Sequence, residues 1–401
     1  MYACKADKRI GYKYLLFDVS AVTIELHQIT TRGVFEMKKR IFALVITSAL
    51  ITILMTGCGK ANENVSTQSG SNSRESEAVT ENTAITLTSE ITELEDGFSA
   101  VQFEGDDGFQ AFLEAGGASS DGEVVAFLSS HLLADFDILG SLFGCSTIAV
   151  QSPGGEQLFG RNFDWQNCDA LVISSKPKTG YASISTVNMD FISQSGGLVG
   201  AVLELNDIRT LAALYAPLDG MNEAGLAVSV NMIQDSATIE QNTNKPDITT
   251  TTAIRLLLNK AANVEEALEL LRQYDMHASM GMMIHLALTD TTGRSVVVEY
   301  VNNEMIVTQT TVVTNFYLAE GEKNGIGTAQ SHERYEILTQ TLSENETMDM
   351  QGVRDALDSV SKDTFGEFES TEWSIVFNLN SGTAHYYHRE NYDNRYTFRI
   401  K

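Results

Sequence analysis

Positive charge is scarce in this 401-residue sequence: 27 lysines and arginines stand against 53 aspartates and glutamates, a formal net charge of -26 at pH 7. A chain this acidic repels phosphate backbones, so we expect no nucleic-acid partner. Cysteine is also rare, and four residues in a chain of this length do not form a disulfide framework. Nucleotide-binding loops, metal-binding signatures and internal repeats are missing, so the sequence predicts no cofactor and no metal.

The apolar run over residues 41–55 is shorter than the roughly 20 residues that a membrane-spanning helix needs. It follows the basic residues 38–40 and precedes Gly57-Cys58, an order typical of a secretory signal. The glycine and cysteine resemble the lipobox of bacterial lipoproteins, in which the cysteine receives a lipid after cleavage. We therefore predict a signal peptide over 37–57 and an extracytoplasmic protein anchored to the bacterial cell membrane through lipid on Cys58. A buried helix or a membrane anchor is the alternative.

Residues 1–36 have no export character, which indicates that Met37 is the true start and that the preceding residues are translated upstream sequence. A cytoplasmic extension is the alternative. Residues 58–96 are rich in serine, threonine, asparagine and glutamate, with few large apolar residues. Such a stretch cannot bury enough surface to offset its ordering entropy, so we predict a disordered tether.

Apolar residues return over 97–144, where the pattern predicts two short helices, at 108–115 and 122–133. We interpret this part as a propeptide-like segment ahead of a catalytic domain over 145–401. The domain alternates between blocks of strands and blocks of helices, which predicts layered sheets with helices outside. Predicted strands cover 145–151, 156–163, 170–175, 198–205, 210–215, 226–233, 283–290, 295–301, 305–308, 311–316, 374–379 and 383–388. Predicted helices cover 250–262, 264–274, 332–342 and 350–360.

Cys145 follows a glycine, precedes two hydroxyl residues and opens a predicted strand. A buried core residue is the ordinary interpretation of an isolated cysteine. Here, however, the returning strand of the hairpin ends with Arg161 and Asp164, and antiparallel pairing brings that end beside Cys145. A guanidinium next to a thiol favours the thiolate, so we predict that Cys145 is a nucleophile. A structural ion pair between Arg161 and Asp164 is the alternative.

Gly-Cys-Ser-Thr at 144–147, followed by Gly-Arg-Asn-Phe-Asp-Trp at 160–165, resembles the choloylglycine hydrolase (linear amide C–N hydrolase) branch of the N-terminal-nucleophile hydrolases. That branch holds bile salt hydrolases and penicillin V acylases. Further matching segments follow in the same order: Met221–Ala227 with Asn231 on the next strand, Thr314-Asn315, and Ser331–Tyr335, which contains Arg334. The resemblance covers about residues 145–390. It implies an α+β fold, a four-layer αββα sandwich.

The resemblance also implies a mechanism. The base is the α-amine of Cys145, which is released when the Gly144–Cys145 bond is cut, and we expect that cleavage to be autocatalytic. The resemblance implies that Asn231 and Asn315 donate to the oxyanion and that Asp164 binds the amine. It also implies that Arg161 and Arg334 hold the thiolate and the carboxylate in place. An α-amine has a reference pKa of roughly 7.7–8.0, which suits a base near neutral pH.

The implied substrate is a small-molecule N-acyl compound whose linear amide is cut through a thioester. The strand segment Val230-Asn231-Met232 departs from the Leu-Asn-Phe that the family usually carries, and the segment between Asn315 and Arg334 is shorter than in typical bile salt hydrolases. These departures leave the acyl group open. Two alternatives also stay open: an acyltransferase that uses the same thioester, and a lipoprotein that binds a ligand without catalysis. A homo-oligomer is neither predicted nor excluded.

Overall fold

The computed structural model of the chain describes residues 87, 89–132, 136–138, 144–194, 206–362 and 369–400. The predicted start at Met37, the signal peptide and the lipidation residue Cys58 lie outside these residues, as does the predicted strand over 198–205. None of the described helices combines the length and the apolar composition that crossing a bilayer requires.

Strands dominate the described part of the chain. The first ten are β1 (Thr92–Glu95), β2 (Phe98–Gly105), β3 (Phe136–Ile138), β4 (Gly144–Gln151), β5 (Gln157–Trp165), β6 (Ala170–Pro177), β7 (Ser183–Asn188), β8 (Ile192–Gln194), β9 (Asp219–Asn222) and β10 (Ala227–Met232). The others are β11 (Asp247–Thr249), β12 (Asp275–His277), β13 (Ile284–Thr289), β14 (Ser295–Val301), β15 (Glu304–Gln309), β16 (Val312–Val313), β17 (Ser370–Asn378), β18 (Thr383–His388) and β19 (Tyr396–Arg399).

Two large sheets organise these strands. One sheet has nine strands in the order β1-β2-β6-β7-β9-β10-β13-β14-β15, and the other has six in the order β16-β4-β5-β17-β18-β19. Neighbouring strands are antiparallel in both sheets except β2 and β6, which run parallel. Two small pairs, β3 with β8 and β11 with β12, lie outside the large sheets.

Helices cover the outer faces of the two sheets. They are α1 (Phe109–Glu114), α2 (Asp121–Leu132), α3 (Asn206–Leu214), α4 (Thr250–Lys260), α5 (Val264–Leu271), α6 (Ala329–Glu344) and α7 (Met350–Asp358). Helix α4 packs on β9 and β10 of the nine-stranded sheet, and α6 and α7 pack on the six-stranded sheet. The two sheets meet where β10 contacts β4. The order helix, sheet, sheet, helix confirms the predicted αββα sandwich.

Strand β4 shows why both faces of the inner strands are apolar. Ile148 and Val150 belong to the cluster beneath α6 and α7, whereas Cys145 and Ala149 belong to the core between the sheets. Successive side chains of a strand point to opposite faces, so a strand covered on both sides is apolar throughout instead of alternating. The position of Cys145 therefore faces the space between the sheets.

The segment before Cys145 is part of the fold, so the start of the folded domain at residue 145 is corrected, while the propeptide-like role of residues 97–144 stays a prediction. All eight residues of β2 pair with β6 in the nine-stranded sheet, and Phe98, Ala100 and Val101 are fully buried. The predicted tether over 58–96 is also wrong at its end, because residues 92–95 form β1 and pair with β2. The side chains of β1 are half-buried or exposed. Composition cannot reveal such an edge strand, since backbone hydrogen bonds hold it.

Two further expectations are corrected. Residues 210–215, predicted as a strand, form the end of α3 and the turn after it. A short apolar run is compatible with either element, and here the helix turns Ala213 and Leu214 into the core. The strand predicted over 311–316 is restricted to Val312 and Val313 of β16, and the chain then leaves the sheet at Thr314. The two short helices expected before Cys145 are confirmed as α1 and α2.

Candidate active site

Cys145 is the second residue of β4 and has no exposed surface. The hairpin pairs Gly144 with Asp164, Cys145 with Phe163 and Thr147 with Arg161. Directly opposed residues point to the same face of a sheet, so Arg161 shares the inter-sheet face with Cys145, while Asp164 points to the helix side. The hairpin predicted from the turn at residues 152–155 therefore does bring a guanidinium and a carboxylate to the two sides of Cys145.

Arg161 is fixed from the opposite sheet. Its Nε donates to Asp219 Oδ2 at 2.7 Å and its Nη1 donates to Asn231 Oδ1 at 2.9 Å. Trp373 Nε1 donates to the same Asp219 oxygen at 3.1 Å. The Arg161–Asp219 pair is completely buried, and charged side chains are buried in proteins almost only when they are paired. Asp219 was not predicted from the sequence, although a lone acidic residue in a buried strand is a signal for such a pair.

Arg334 reaches the other side of β4 from α6. Its Nη1 lies 2.9 Å from the carbonyl oxygen of Cys145, 2.6 Å from Ser146 Oγ and 3.0 Å from Asp164 Oδ2. Its Nη2 donates to Asn315 Oδ1 at 2.8 Å. One guanidinium thus joins β4, β5 and the segment after β16. The structure brings all six predicted residues together: Cys145, Arg161, Asp164, Asn231, Asn315 and Arg334.

Both ends of the Asn315 side-chain amide are hydrogen-bonded, and its role as an oxyanion donor, which the resemblance implied, stays a prediction. Its Oδ1 accepts a hydrogen bond from the backbone nitrogen of Cys145 at 2.8 Å, and its Nδ2 already donates to the carbonyl oxygen of Met232 at 2.7 Å. A flipped amide would direct Nδ2 at two donors, Cys145 N and Arg334 Nη2, so the network determines this orientation. Asn315 therefore holds the nitrogen of Cys145.

Asn231, in contrast, has a free donor. Its Oδ1 accepts from Arg161 and from Ser229 Oγ, and its Nδ2 is buried without a hydrogen-bond partner among the described residues. Arg161 Nη2 is likewise buried and donates to no nitrogen or oxygen in the described part of the chain. An unsatisfied buried polar group costs about 1–3 kcal/mol. Two such groups on neighbouring side chains mark a place where an acceptor can bind.

The surroundings of Cys145 favour the neutral thiol. Burial raises the pKa of Cys145 to about 11, and Asp164 adds to the rise, while Arg161 and Arg334 oppose it. The expectation that the guanidinium favours the thiolate is therefore outweighed by desolvation. Burial also works to lower the pKa of Arg161, but Cys145 and Asp219 raise it above its ordinary value. A thiol in this environment needs a base before it can attack a carbonyl.

The histidine that pairs with Asn231 across the nine-stranded sheet does not supply that base. His285 on β13 lies opposite Asn231 on β10. One ring nitrogen lies 3.1 Å from Glu299 Oε1 and the other 2.7 Å from the carbonyl oxygen of Thr314. Both nitrogens are occupied, and the ring holds the residue that precedes Asn315. His285 and Glu299 thus hold the backbone next to Asn315 in place.

The chain was compared with protein families and with known proteins. Residues 145–317 match the family model described as linear amide C–N hydrolases, choloylglycine hydrolase family. The resemblance predicted from the motifs is confirmed over these residues. Five of the six predicted site residues lie inside the match, and the sixth, Arg334, is joined to them by the contacts given above. No curated protein sequence shows a significant match to the chain.

The chain also resembles solved structures at low sequence identity. A mutant of the conjugated bile acid hydrolase from Clostridium perfringens is 19% identical, with 64% of this chain and 92% of that chain covered and a TM-score of 0.47. A second variant of that hydrolase is 17% identical with the same coverage and a TM-score of 0.46. Penicillin V acylase from Agrobacterium tumefaciens is 19% identical, with 64% and 86% covered and a TM-score of 0.46.

Proposed function

We propose that this protein is a cysteine amidohydrolase that acts on a linear amide C–N bond after cleavage of Gly144–Cys145 has released the α-amine of Cys145. One observation carries the proposal. The buried polar network holds the backbone nitrogen of Cys145, through Asn315 Oδ1, and not only its side chain. A core cysteine has no need of an asparagine and an arginine that fix its own nitrogen.

Cleavage changes that nitrogen from a peptide N–H, which is not basic, into an amine with a reference pKa of roughly 7.7–8.0. The neutral amine takes the proton of the thiol, and the sulfur attacks the carbonyl carbon of the substrate amide. The C–N bond breaks as the proton passes to the leaving amine, which leaves a thioester on Cys145. Water then attacks the thioester, the acid departs, and the thiol and amine are restored.

The free Nδ2 of Asn231 is the donor that we assign to the oxyanion of the tetrahedral intermediate. Arg161 holds the oxygen of the same amide and so keeps the nitrogen directed into the site. Electrostatic stabilisation of this kind typically contributes about 10²–10³ in rate for one donor. Asn315, whose nitrogen is engaged, is assigned to the amine of Cys145 instead.

The substrate class that we propose is an N-acyl compound, without commitment to a bile-acid conjugate or a penicillin. Val230 and Met232 distinguish this chain from the Leu-Asn-Phe segment that the family usually carries. Met232 stands where the family carries Phe, and its backbone oxygen accepts a hydrogen bond from Asn315 Nδ2. Because a methionine is unbranched and adaptable, we propose that the site accepts other acyl shapes than a phenylalanine at this position does.

We also propose that the protein is exported and held at the bacterial membrane through lipid on Cys58, on the basis of the motif that precedes this residue. Labelling of growing cells with a radioactive fatty acid tests the anchor. Label on the wild-type protein and none on a Cys58→Ser variant is the expected result. Equal label on both would overturn this part of the proposal.

The enzymatic proposal is tested by intact mass and N-terminal sequencing of the purified protein, together with a Cys145→Ala variant. We expect the wild type to yield a chain that begins at Cys145 and the variant to remain uncut. The same preparations are assayed on tauro- and glyco-conjugates, penicillin V and N-acyl amino acids, with and without an added amine. Release of the acid supports the hydrolase, transfer to the amine indicates an acyltransferase, and an uncut chain without activity on any amide refutes both.

A further inference from the structure

Three charged side chains surround Gly144, the residue before the nucleophile. A methyl group placed on its Cα would lie 2.7 Å from Lys362 Nζ, 3.2 Å from Asp164 Oδ2 and 3.3 Å from Glu369 Oε2. Lys362 and Glu369 form an ion pair with each other, and Lys362 Nζ lies 3.7 Å from Asp164 Oδ2. The mechanism given above uses neither Lys362 nor Glu369, and no motif in the sequence drew attention to them.

Lys362 is held rigidly in this position. Its backbone N–H donates to Thr371 Oγ1 at 2.9 Å, and its carbonyl oxygen accepts from Thr371 N at 2.9 Å. The same Thr371 hydroxyl donates to Asp164 Oδ1 at 2.8 Å. The side chain of Lys362 is only 6% exposed. Lysine is almost never fully buried unless it is paired, and here the carboxylates that pair with it lie on either side of the residue before the nucleophile.

We propose that Lys362 is a catalytic residue of the cleavage at Gly144–Cys145, and that Glu369 is the positioning residue that directs its ammonium at Gly144. This inference rests on the proposed function and assigns the residues of its first step. The sulfur of Cys145 attacks the carbonyl carbon of Gly144, and the C–N bond breaks as the thiol proton passes to the nitrogen of Cys145. Water then hydrolyses the resulting thioester and leaves a carboxylate on Gly144.

Charge balance explains the need for a lysine here. Before cleavage, the carboxylates of Asp164 and Glu369 are matched by the cations of Arg334 and Lys362. Negative charge develops on the carbonyl oxygen of Gly144 during the attack and stays there as a carboxylate afterwards. Asp164 and Glu369 would repel that charge, and Lys362, whose Nζ lies 2.7 Å from the position of a methyl group on Gly144 Cα, is the cation that we assign to offset it. On the other side of the broken bond, Asn315 Oδ1 already accepts from the nitrogen of Cys145.

The test follows cleavage over time by intact mass in freshly purified wild type, Lys362→Met, Lys362→Arg and Glu369→Gln. Loss of one donor to a developing oxyanion predicts cleavage about 10²-fold slower in Lys362→Met. Lys362→Arg restores part of the rate because it keeps the charge, and Glu369→Gln slows cleavage less than Lys362→Met does. Lys176→Met is the matched control, because Lys176 also pairs with a glutamate, Glu104, at 3.9 Å, but its side chain is 60% exposed. We expect this variant to be cleaved at the rate of the wild type.

Unfolding curves of Lys362→Met and Lys362→Arg, each combined with Cys145→Ala, show whether slow cleavage comes from a damaged fold. Slow cleavage in Lys362→Met with partial recovery in a folded Lys362→Arg supports the role. Cleavage of folded Lys362→Met at the wild-type rate overturns it and leaves the proposed function intact. If Lys362→Met does not fold, Lys362→Gln, which also lacks the charge, is measured in its place. Cleavage of Lys362→Gln at the wild-type rate also overturns the role. A wild type that is never cut overturns this inference and the proposed function together.

Discussion

The part of the chain before Cys145 should stay bound after Gly144–Cys145 is cut. Residues of β2 pair along their whole length with β6, and Phe98, Phe109 and Phe112 are buried to within 1%. Phe98 also packs against the rings of His388 and Tyr396, with centroids 5.1 Å away in each case. The two described cysteines, Cys145 and Cys168, are free, so the described residues contain no disulfide that would tie the two chains together. Packing, strand pairing and side-chain contacts, among them the ion pair of Glu95 with His388 and the hydrogen bond from Asn259 to Asp107, must hold them.

The buried side chain of Phe98 gives the size of the effect expected on binding of the N-terminal chain. Truncating a buried phenylalanine to alanine costs about 3–5 kcal/mol, and each 1.4 kcal/mol is a factor of ten in an equilibrium constant. Phe98→Ala should therefore raise the dissociation constant of the N-terminal chain by about 10²- to 4 × 10³-fold. Val101→Ala, a smaller truncation on the same strand, gives a smaller rise and serves if Phe98→Ala folds poorly. Glu104→Ala is the matched control, because its side chain is 65% exposed on the same strand.

The assay is size-exclusion chromatography of the cut protein over a dilution series, with both chains identified by mass. The wild type and Glu104→Ala should elute with both chains together at every dilution, while Phe98→Ala loses the N-terminal chain as it is diluted. A wild type that separates into two species directly after cleavage would refute the reasoning, and the segment would then be a propeptide in the ordinary sense.

Three further predictions follow from the site. In the cut enzyme, Asn231→Ala lowers kcat by about 10²–10³ with little change in KM, because Nδ2 acts on the transition state; an increase in KM with an unchanged kcat would contradict that role. Arg161→Met leaves Asp219 buried without its cation and lowers the free energy of unfolding in urea by about 3–5 kcal/mol, whereas Arg294→Met, at the exposed pair with Glu265, changes it by less than about 1 kcal/mol. In uncut protein the absorbance difference at 240 nm against Cys145→Ala shows the thiolate forming near pH 11, because burial raises that pKa; formation near the value of a free thiol would refute the buried state.

The sequence predicted what lies close together along the chain. The turn after Gln151 and the two apolar runs around it predicted the hairpin, and through it the approach of Arg161 and Asp164 to Cys145. Asn231, Asn315 and Arg334 were assigned through motifs, and the structure brings them to the same place. Short-range periodicity and motifs are the signals that a single sequence carries.

The sequence did not predict Asp219, Lys362 or Glu369, because their places depend on pairing between distant segments. Strand β17 pairs with β5 although roughly half the length of the chain separates them, and that pairing sets Thr371 opposite Asp164 and Lys362 beside Gly144. The parallel pairing of β2 with β6 was missed for the same reason. Composition identified the return of apolar residues before Cys145, but the residues of a strand do not determine which other strand pairs with it.

The central claim is that the α-amine of Cys145 is the base, and activity measured against the extent of cleavage tests it most directly. Freshly purified protein is incubated, and samples are divided between intact mass and hydrolysis of the best amide found in the panel. We predict that the rate rises in proportion to the fraction of chains that begin at Cys145 and that it extrapolates to zero in uncut protein. Full activity in protein whose Gly144–Cys145 bond is intact would contradict the claim.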